Sequence, residues 1–263
     1  MFSNKVKLSL FLCLSTCLGI GILRFSYTAL LPTTREAFGW SVGFASILSS
    51  ANLLGYLLGA LWAMYLPQNK NMPRYILAAA FAGTLSLLSC AVANLHEVWY
   101  VSWRIISGIS GGLMMILSPS IVAQCCELKD RFTINFIGFS GIGIGVLLAT
   151  LFLPYLDQIS TQTAWMILFG FALSISIVLG SLLQSFKQQL LQQSSQVLQP
   201  VPLTGLYFSL LLAYACSAFS YVPHSLFWID YLTNTLHLNL FWINLNWILY
   251  GLGSALGAFS AYL

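Results

Sequence analysis

Charged residues are scarce in this sequence. Only 6% of its 263 residues are charged, while 59% are hydrophobic, and the mean hydropathy is +0.86. A soluble domain carries about 25% charged residues, so this composition excludes a soluble globular protein and indicates an integral membrane protein. The net charge of +4 in so apolar a chain is not the footprint of a nucleic-acid-binding protein, and we expect no nucleic-acid partner.

Acidic residues are missing from the interior of the apolar stretches. All six lie at or near the ends of those stretches: Glu36, Glu97, Glu127, Asp130, Asp157 and Asp230. Proton-coupled transport usually needs an acid within the membrane. Three alternatives therefore stay open: the coupling site lies in helices beyond this sequence, or it is Glu97, His224 or Asp230, or transport is not driven by protons.

Patterns of metal sites and membrane enzymes are also lacking. The sequence has no His-Glu-x-x-His and no paired carboxylates at one depth, which argues against an enzyme. None of the six cysteines has zinc-like spacing with a histidine, so we expect reduced cysteines that pack as small apolar side chains. We expect no metal and no cofactor.

Long apolar stretches dominate what is present. A membrane-spanning helix needs about 20 apolar residues. Eight stretches qualify, at 7–31, 42–66, 74–95, 98–122, 132–155, 163–184, 203–227 and 240–263. A Gln- and Ser-rich stretch separates the sixth from the seventh. It predicts three parts: a six-helix unit at 1–184, a cytoplasmic linker at 185–202 and two further helices at 203–263.

Basic residues indicate the orientation. With the N-terminus in the cytoplasm, only Arg35 lies in an outside loop. Seven basic residues then lie on the cytoplasmic side: Lys5, Lys7, Lys70, Arg74, Lys129, Arg131 and Lys187. This bias follows the positive-inside rule, so we predict a multi-pass membrane protein with a cytoplasmic N-terminus.

Two arginines lie inside predicted spans. A charge there costs about 2.5–3.5 kcal/mol, so Arg24 and Arg104 need a reason to be present. Counted at 1.5 Å per residue, both lie roughly 7–9 Å outward of the membrane midplane. Two guanidinium groups at one level favour an anionic solute between them. Arg104 can alternatively bind backbone carbonyls, and Arg24 can pair with Glu36, Glu97 or Asp230.

Polar stripes extend this candidate site. A polar stripe on a spanning helix must face protein or water rather than lipid. The first span carries one with Arg24 and Thr28, the seventh carries one that ends at His224, and Asn52 lies on a small-residue face of the second. The predicted solute contacts are Arg24, Arg104, Thr28, Asn52, Tyr214, Ser217 and Tyr221.

Glycines are concentrated in the second, fourth and fifth spans. Such glycines let helix backbones approach closely or bend. The predicted packing or gating positions are Gly55, Gly59, Gly108, Gly111, Gly138, Gly141 and Gly145. The pattern Gly55-x-x-x-Gly59-Ala60 recurs as Gly253-x-x-x-Gly257-Ala258, and Phe25-Ser26-Tyr27 recurs as Phe219-Ser220-Tyr221. The seventh span therefore begins a second copy of the six-helix unit, of which we expect four helices to be missing.

These motifs resemble the major facilitator superfamily (MFS). The run at 104–112 is similar to the superfamily's fourth-helix signature, and the run at 138–145 resembles its fifth-helix signature without the usual Gly-Pro. The stretches at 19–32 and 51–60 look like the YbfB/YjiJ branch of bacterial facilitators. The loop at 67–74 departs from the family pattern because it lacks the usual Asp and Gly. The resemblance implies twelve helices in two halves, with a solute cavity lined by helices one, four, seven and ten.

The expected protein is an all-α polytopic helical bundle. It has the MFS fold with a complete six-helix N-terminal half and the first two helices of the second half, apparently truncated at the C-terminus. We expect a secondary transporter of a small solute, anionic or amphipathic, that works by alternating access in the bacterial inner membrane. Its partners are the solute and the lipid bilayer, and the need for a coupling proton or sodium ion stays open. The alternative is a non-transporting MFS remnant or a partner-dependent membrane protein.

Overall fold

A computed structural model describes residues 4–66, 71–150, 159–192 and 204–260. Within these ranges the chain forms eight helices, and no β-strand is present in them. They are α1 (Asn4–Phe38), α2 (Val42–Tyr65), α3 (Met72–Ser89), α4 (Glu97–Cys125), α5 (Leu128–Thr150), α6 (Thr161–Gln192), α7 (Gly205–Asn234) and α8 (Leu240–Ser260). The all-α bundle predicted from the sequence is confirmed. Five of the eight (α1, α2, α4, α5 and α6) are long and apolar enough to cross a membrane.

Several helix ends differ from the predicted spans. Helix α1 continues to Phe38, seven residues beyond the predicted end, and α3 ends at Ser89 rather than at 95. Helix α6 continues to Gln192, so the first part of the predicted linker, 185–192, is helical. Gln and Leu are good helix formers, and Phe186 and Leu190 are buried, so packing extends this helix past the apolar run. Residues 193–203 lie outside the described ranges.

The turn between α1 and α2 follows from its local sequence. Gly39 ends α1 with φ +65°, a left-handed conformation that suits a residue without a Cβ. The amide of Trp40 then donates to the carbonyl of Arg35 at 2.9 Å. Ser41 caps α2 by accepting a hydrogen bond from the amide of Phe44 at 3.1 Å.

Helix α1 is the central helix of the described bundle. Within its apolar window 72% of the residues are buried, more than in any of the other four candidate spans. Its middle turn, Cys17–Ile22, is π-helical and contains Gly19 and Gly21. A Cβ on Gly21 would lie 2.6 Å from the Cα of Gly145, so α1 and α5 touch backbone to backbone at this level.

Helices α2 and α4 form the tightest pair because glycines alternate across their interface. A Cβ on Gly55 or Gly59 would overlap the carbonyl oxygen of Ile105 or Ile109, respectively. A Cβ on Gly108 would in turn overlap the carbonyl oxygen of Asn52. Backbone contact at three successive points leaves room for no side chain larger than hydrogen.

The remaining predicted glycines pack on α1. A Cβ on Gly111 would lie 2.6 Å from the carbonyl oxygen of Gly19. A Cβ on Gly138 would overlap Leu12, and one on Gly141 would overlap the carbonyl oxygen of Cys13. Helix α1 is therefore enclosed by α4 and α5 through close backbone contacts.

Ion pairs show which ends of the helices lie together. Lys5 Nζ contacts Asp130 Oδ1 at 3.0 Å, and Asn4 Nδ2 donates to the carbonyl of Cys125 at 3.2 Å. The start of α1 and the α4–α5 connection therefore lie at one end of the bundle. This agrees with the predicted placement of both on one side of the membrane.

The interfaces give a first prediction. Replacing Gly108 with Ala forces a Cβ into the Asn52 carbonyl, and overpacking of this kind costs about 1–3 kcal/mol. We expect Gly108→Ala to lower the thermal unfolding midpoint of the detergent-purified chain. Gly170→Ala is the matched control because a Cβ there meets no atom within 4 Å, and we expect its midpoint to stay unchanged or rise. Equal midpoints for the two variants would contradict the close contact of α2 with α4.

Candidate functional site

Arg104 is buried between α4 and α1. Its side chain is 4% exposed, and its Nη1 donates to the carbonyl oxygen of Leu23 at 3.4 Å. The guanidinium carbon lies 4.2 Å from the centroid of the Tyr27 ring, a cation–π distance. Both partners belong to α1, and no acidic side chain in the described ranges pairs with Arg104. Arg104 therefore fastens α4 to α1 and keeps a positive charge inside the bundle.

Two further polar side chains join this contact. Ser107 Oγ donates to the same Leu23 carbonyl at 3.2 Å. Asn52 Nδ2 donates to the backbone carbonyl of Arg104 at 3.2 Å, and Asn52 is itself buried. The Leu23 network (Leu23, Asn52, Arg104 and Ser107) thus connects α1, α2 and α4. Asn52, predicted as a solute contact, is placed in this interface.

Arg24 follows Leu23 on α1. Its side chain is half-buried, and its guanidinium carbon lies 5.3 Å from the centroid of the Phe25 ring. Because Arg104 binds the Leu23 carbonyl, the two arginines lie at one level, close enough for their charges to interact. Thr28 lies one turn further along α1 and is buried.

An aromatic cluster brings α8 against α1 beside Arg24. The Phe25 ring lies 6.2 Å from the Trp247 ring and 5.7 Å from the Tyr250 ring, both edge-on. Trp247 and Tyr250 stack at 5.1 Å with an interplanar angle of 10°. The Phe25 cluster (Phe25, Trp247 and Tyr250) joins the first unit to the second helix of the predicted second unit.

Two buried polar atoms on α8 have no hydrogen-bond partner within the described residues. They are the indole Nε1 of Trp247 and the amide Oδ1 of Asn244. Buried polar atoms are almost always satisfied, so each unpaired one needs an explanation. Sequence reasoning missed both residues. The signal was an Asn and a Trp at i and i+3 on a predicted span, which places them on one helix face.

Other predicted site residues do not lie beside Arg24 and the Phe25 cluster in the described structure. Tyr214 is 72% exposed, and every residue of 204–220 on α7 is exposed, Ser217 included. Glu97 is the exposed first residue of α4. The side chains of Tyr221, His224 and Asp230 lie outside the described set. The polar face of α4 packs on α1 and α2: Ser118 Oγ, for example, is 2.5 Å from Ser15 Oγ.

One sequence match has no catalytic geometry. Gly108-Ile109-Ser110-Gly111-Gly112 fits the pattern Gly-x-Ser-x-Gly. That pattern marks a nucleophile only on a turn between a strand and a helix. Here it lies within α4, where Ser110 is buried. Among the described residues, no group of three or more His, Cys, Asp or Glu side chains could hold a metal ion.

The sequence profile of one family matches residues 16–262, nearly the whole chain. Its description is "Uncharacterised MFS-type transporter YbfB". This chain belongs to that family. The resemblance inferred from the two arginines and the glycine runs is therefore confirmed, and the family is one of transporters rather than enzymes.

Solved structures show the same fold. The proton:xylose symporter XylE bound to 6-bromo-6-deoxy-D-glucose is similar with a TM-score of 0.58 and 18% identity, covering 69% of this chain and 44% of that one. A D-xylose-proton symporter gives 0.55 and 15%, covering 94% and 65%. The inward-open xylose transporter XylE from E. coli gives 0.54 and 17%, covering 86% and 56%. The chain thus spans 44–65% of the length of these transporters.

The contact of Arg104 with Tyr27 can be measured by a double-mutant cycle. We expect Arg104→Gln and Tyr27→Leu to be coupled by about 1–2 kcal/mol in the free energy of unfolding, because the two side chains form a desolvated cation–π pair. A second cycle with Tyr27→Phe is the control: it removes the hydroxyl, which donates to the Ala45 carbonyl at 3.2 Å, and keeps the ring. That cycle should show coupling near zero. A near-zero value in the first cycle would show that the pair does not stabilise the fold.

Proposed function

We propose that this MFS-family chain functions in a secondary transporter and that a small anionic solute binds between α1 and α8. In this proposal Arg24 contacts the solute, and Arg104 positions α1 through the Leu23 network. Alternating access then follows from movement of the first unit against the second. We place the N-terminus in the cytoplasm and the protein in the bacterial inner membrane, because the basic residues are biased to one side.

The unpaired atoms of α8 carry this proposal. Leaving a buried donor or acceptor without a partner costs about 1–3 kcal/mol. Trp247 Nε1 is a donor that suits a carboxylate or phosphate oxygen, and Asn244 Oδ1 accepts from a hydroxyl. Both lie on the helix that packs on Phe25, next to Arg24. A solute with an anionic group and a hydroxyl would satisfy both atoms.

Electrostatics supports the same solute class. Two like charges at one level in a low-dielectric interior repel, and an anion beside them lowers that cost. Arg104 is buried against a carbonyl and a ring, and Arg24 is half-buried with its guanidinium carbon 5.3 Å from the centroid of the Phe25 ring. A guanidinium group can bind a carboxylate or phosphate with two parallel hydrogen bonds. Arg24 is therefore our proposed anion contact.

The neutral alternative comes from the structural neighbours. Two of them are described as proton symporters of xylose, so a sugar is the competing solute for this chain. A sugar would use the same Asn244 and Trp247 atoms and would not need Arg24. Thr28 on α1 and Tyr214, Ser217 and Tyr221 on α7 remain predicted solute contacts, and the exposed Tyr214 and Ser217 lie apart from the Phe25 cluster. Glu97, His224 and Asp230 remain candidates for coupling to a proton.

A thermal-shift panel separates the two solute classes. The full chain is screened against small carboxylates, organophosphates and neutral sugars including D-xylose, since a bound solute raises the unfolding midpoint. We expect an anion to stabilise the wild type and Arg24→Lys more than Arg24→Gln. The matched control is Arg35→Gln, which removes one positive charge from the same helix. An undiminished response of Arg24→Gln to the anion, or stabilisation by sugars alone, would contradict the anion site.

Trp247→Phe tests the α8 contribution. It keeps an aromatic ring against Phe25 and removes the unpaired Nε1. We expect equal or higher stability of the solute-free protein and about 10-fold weaker binding of the stabilising anion, because a hydrogen bond to a charged group is lost. Unchanged affinity in this variant would exclude the indole as a solute contact.

A second candidate function is favoured by α7. All of its residues at 205–220 are exposed, polar and apolar alike, so no described helix buries any face of that stretch. A partner-dependent membrane protein would cover this helix with another chain. Cross-linking in the source membranes, with a cysteine at Ser217, distinguishes the two: adducts to another polypeptide favour the partner, and their absence favours the transporter.

A further inference from the structure

A groove between α3 and α6 takes no part in the proposed solute site. Its cavity has a volume of about 460 Å³ and lies at the end of the bundle where α3 begins and α6 ends. The residues that matter here are Arg74 and Leu77 on α3, and Gly180, Leu183, Lys187 and Leu191 on α6. The four on α6 recur at intervals of three and four residues and so share one helix face.

A polar contact between α3 and α6 lies deeper in the bundle than the groove. Further into the bundle, Thr84 Oγ1 and Ser176 Oγ form a buried hydrogen bond of 2.9 Å that joins α3 to α6. Gly180 lies between that bond and the mouth, where a Cβ would come within 3.3 Å of Leu77 Cδ1. Leu77, Gly180 and Leu183 line the groove above the Thr84–Ser176 contact, and we call this apolar part of the groove the apolar channel.

The mouth of the groove is positively charged. Arg74 and Lys187 are exposed, and in the described ranges neither forms an ion pair. At the same end of the bundle, Asp130 contacts Lys5 at 3.0 Å and Glu127 contacts Lys129 at 2.7 Å. Among the described residues that line the groove, two are basic and none is acidic.

We propose that this groove binds one anionic phospholipid. Its phosphate lies between Arg74 and Lys187, and an acyl chain follows Leu183 and Leu77 past Gly180. Basic pockets between membrane helices attract anionic lipid headgroups electrostatically. A free phosphate would use only the charged mouth and would leave the apolar channel without an occupant. The combination of charge and apolar depth therefore favours a lipid.

The test measures lipid affinity of the full chain by native mass spectrometry from detergent. Phosphatidylglycerol is the anionic probe, and phosphatidylcholine is the zwitterionic reference. We expect Arg74→Gln/Lys187→Gln to bind phosphatidylglycerol roughly 10–30-fold more weakly, with phosphatidylcholine binding unchanged. Arg74→Lys should retain most of the affinity. Undiminished phosphatidylglycerol binding by the double variant would overturn the proposal.

A matched control variant distinguishes lipid binding in the groove from general electrostatic attraction of the lipid to basic residues. Lys5→Gln/Lys129→Gln removes the same charge from the same end and leaves the groove intact. Its affinity for phosphatidylglycerol should stay within about twofold of the wild type, because single exposed charges contribute little to binding energy. An equal loss in both double variants would show unspecific surface attraction and contradict a site.

The apolar channel has its own test. Gly180→Leu fills the channel and keeps both basic residues, so it should weaken phosphatidylglycerol binding without changing the net charge. Glycerol 3-phosphate and inorganic phosphate carry the charge without acyl chains and should not compete with the lipid. Displacement of the lipid by either one at comparable concentration would assign the site to a free phosphate and overturn the lipid proposal.

Discussion

The Leu23 carbonyl is the point on which the described bundle depends. It accepts hydrogen bonds from Arg104 at 3.4 Å and from Ser107 at 3.2 Å. A guanidinium group 4% exposed and without an acid partner in the described ranges is costly to bury, so this carbonyl and the Tyr27 ring compensate its charge. The contact aligns α4 with α1 and places Arg24 at the same level. The proposed site therefore combines a buried cation that holds two helices together with a more accessible one.

Glycine makes this contact geometrically possible. Arg104 reaches α1 only because α4 approaches both α1 and α2 with almost no side chains between the backbones. The glycines at 55, 59 and 108 remove the bulk between α2 and α4, and those at 19 and 111 do so between α1 and α4. Close packing and the buried charge thus support each other: the helices must be near for a carbonyl to compensate the cation.

Much of this could be read from the sequence. Apolar length predicted the five long helices of the described residues that can cross a membrane, because a membrane imposes a minimum run. The intramembrane arginines indicated where α1 and α4 meet. A charge inside a membrane costs free energy, so such a residue marks a function or a special contact. The choice between solute and structural roles for Arg104 could not be made, because both need the same residue at the same depth. Asn244 and Trp247 were missed since their unpaired atoms become visible only when the neighbouring helices are in place.

The sequence by itself determined that the chain lies in a membrane, that it is helical and which family it belongs to. Hydrophobic length, charge placement and glycine spacing are local properties of the chain, so they need no tertiary structure. Tertiary structure alone decided which faces meet. The motif at Gly55 and Gly59 packs on the backbone of α4, whereas in its copy a Cβ on Gly253 would meet no atom within 4 Å. The two motifs share the Gly-x-x-x-Gly-Ala spacing, and the described neighbours of the glycines differ. Whether a glycine serves packing, or an arginine serves a carbonyl, depends on contacts between residues far apart in the chain.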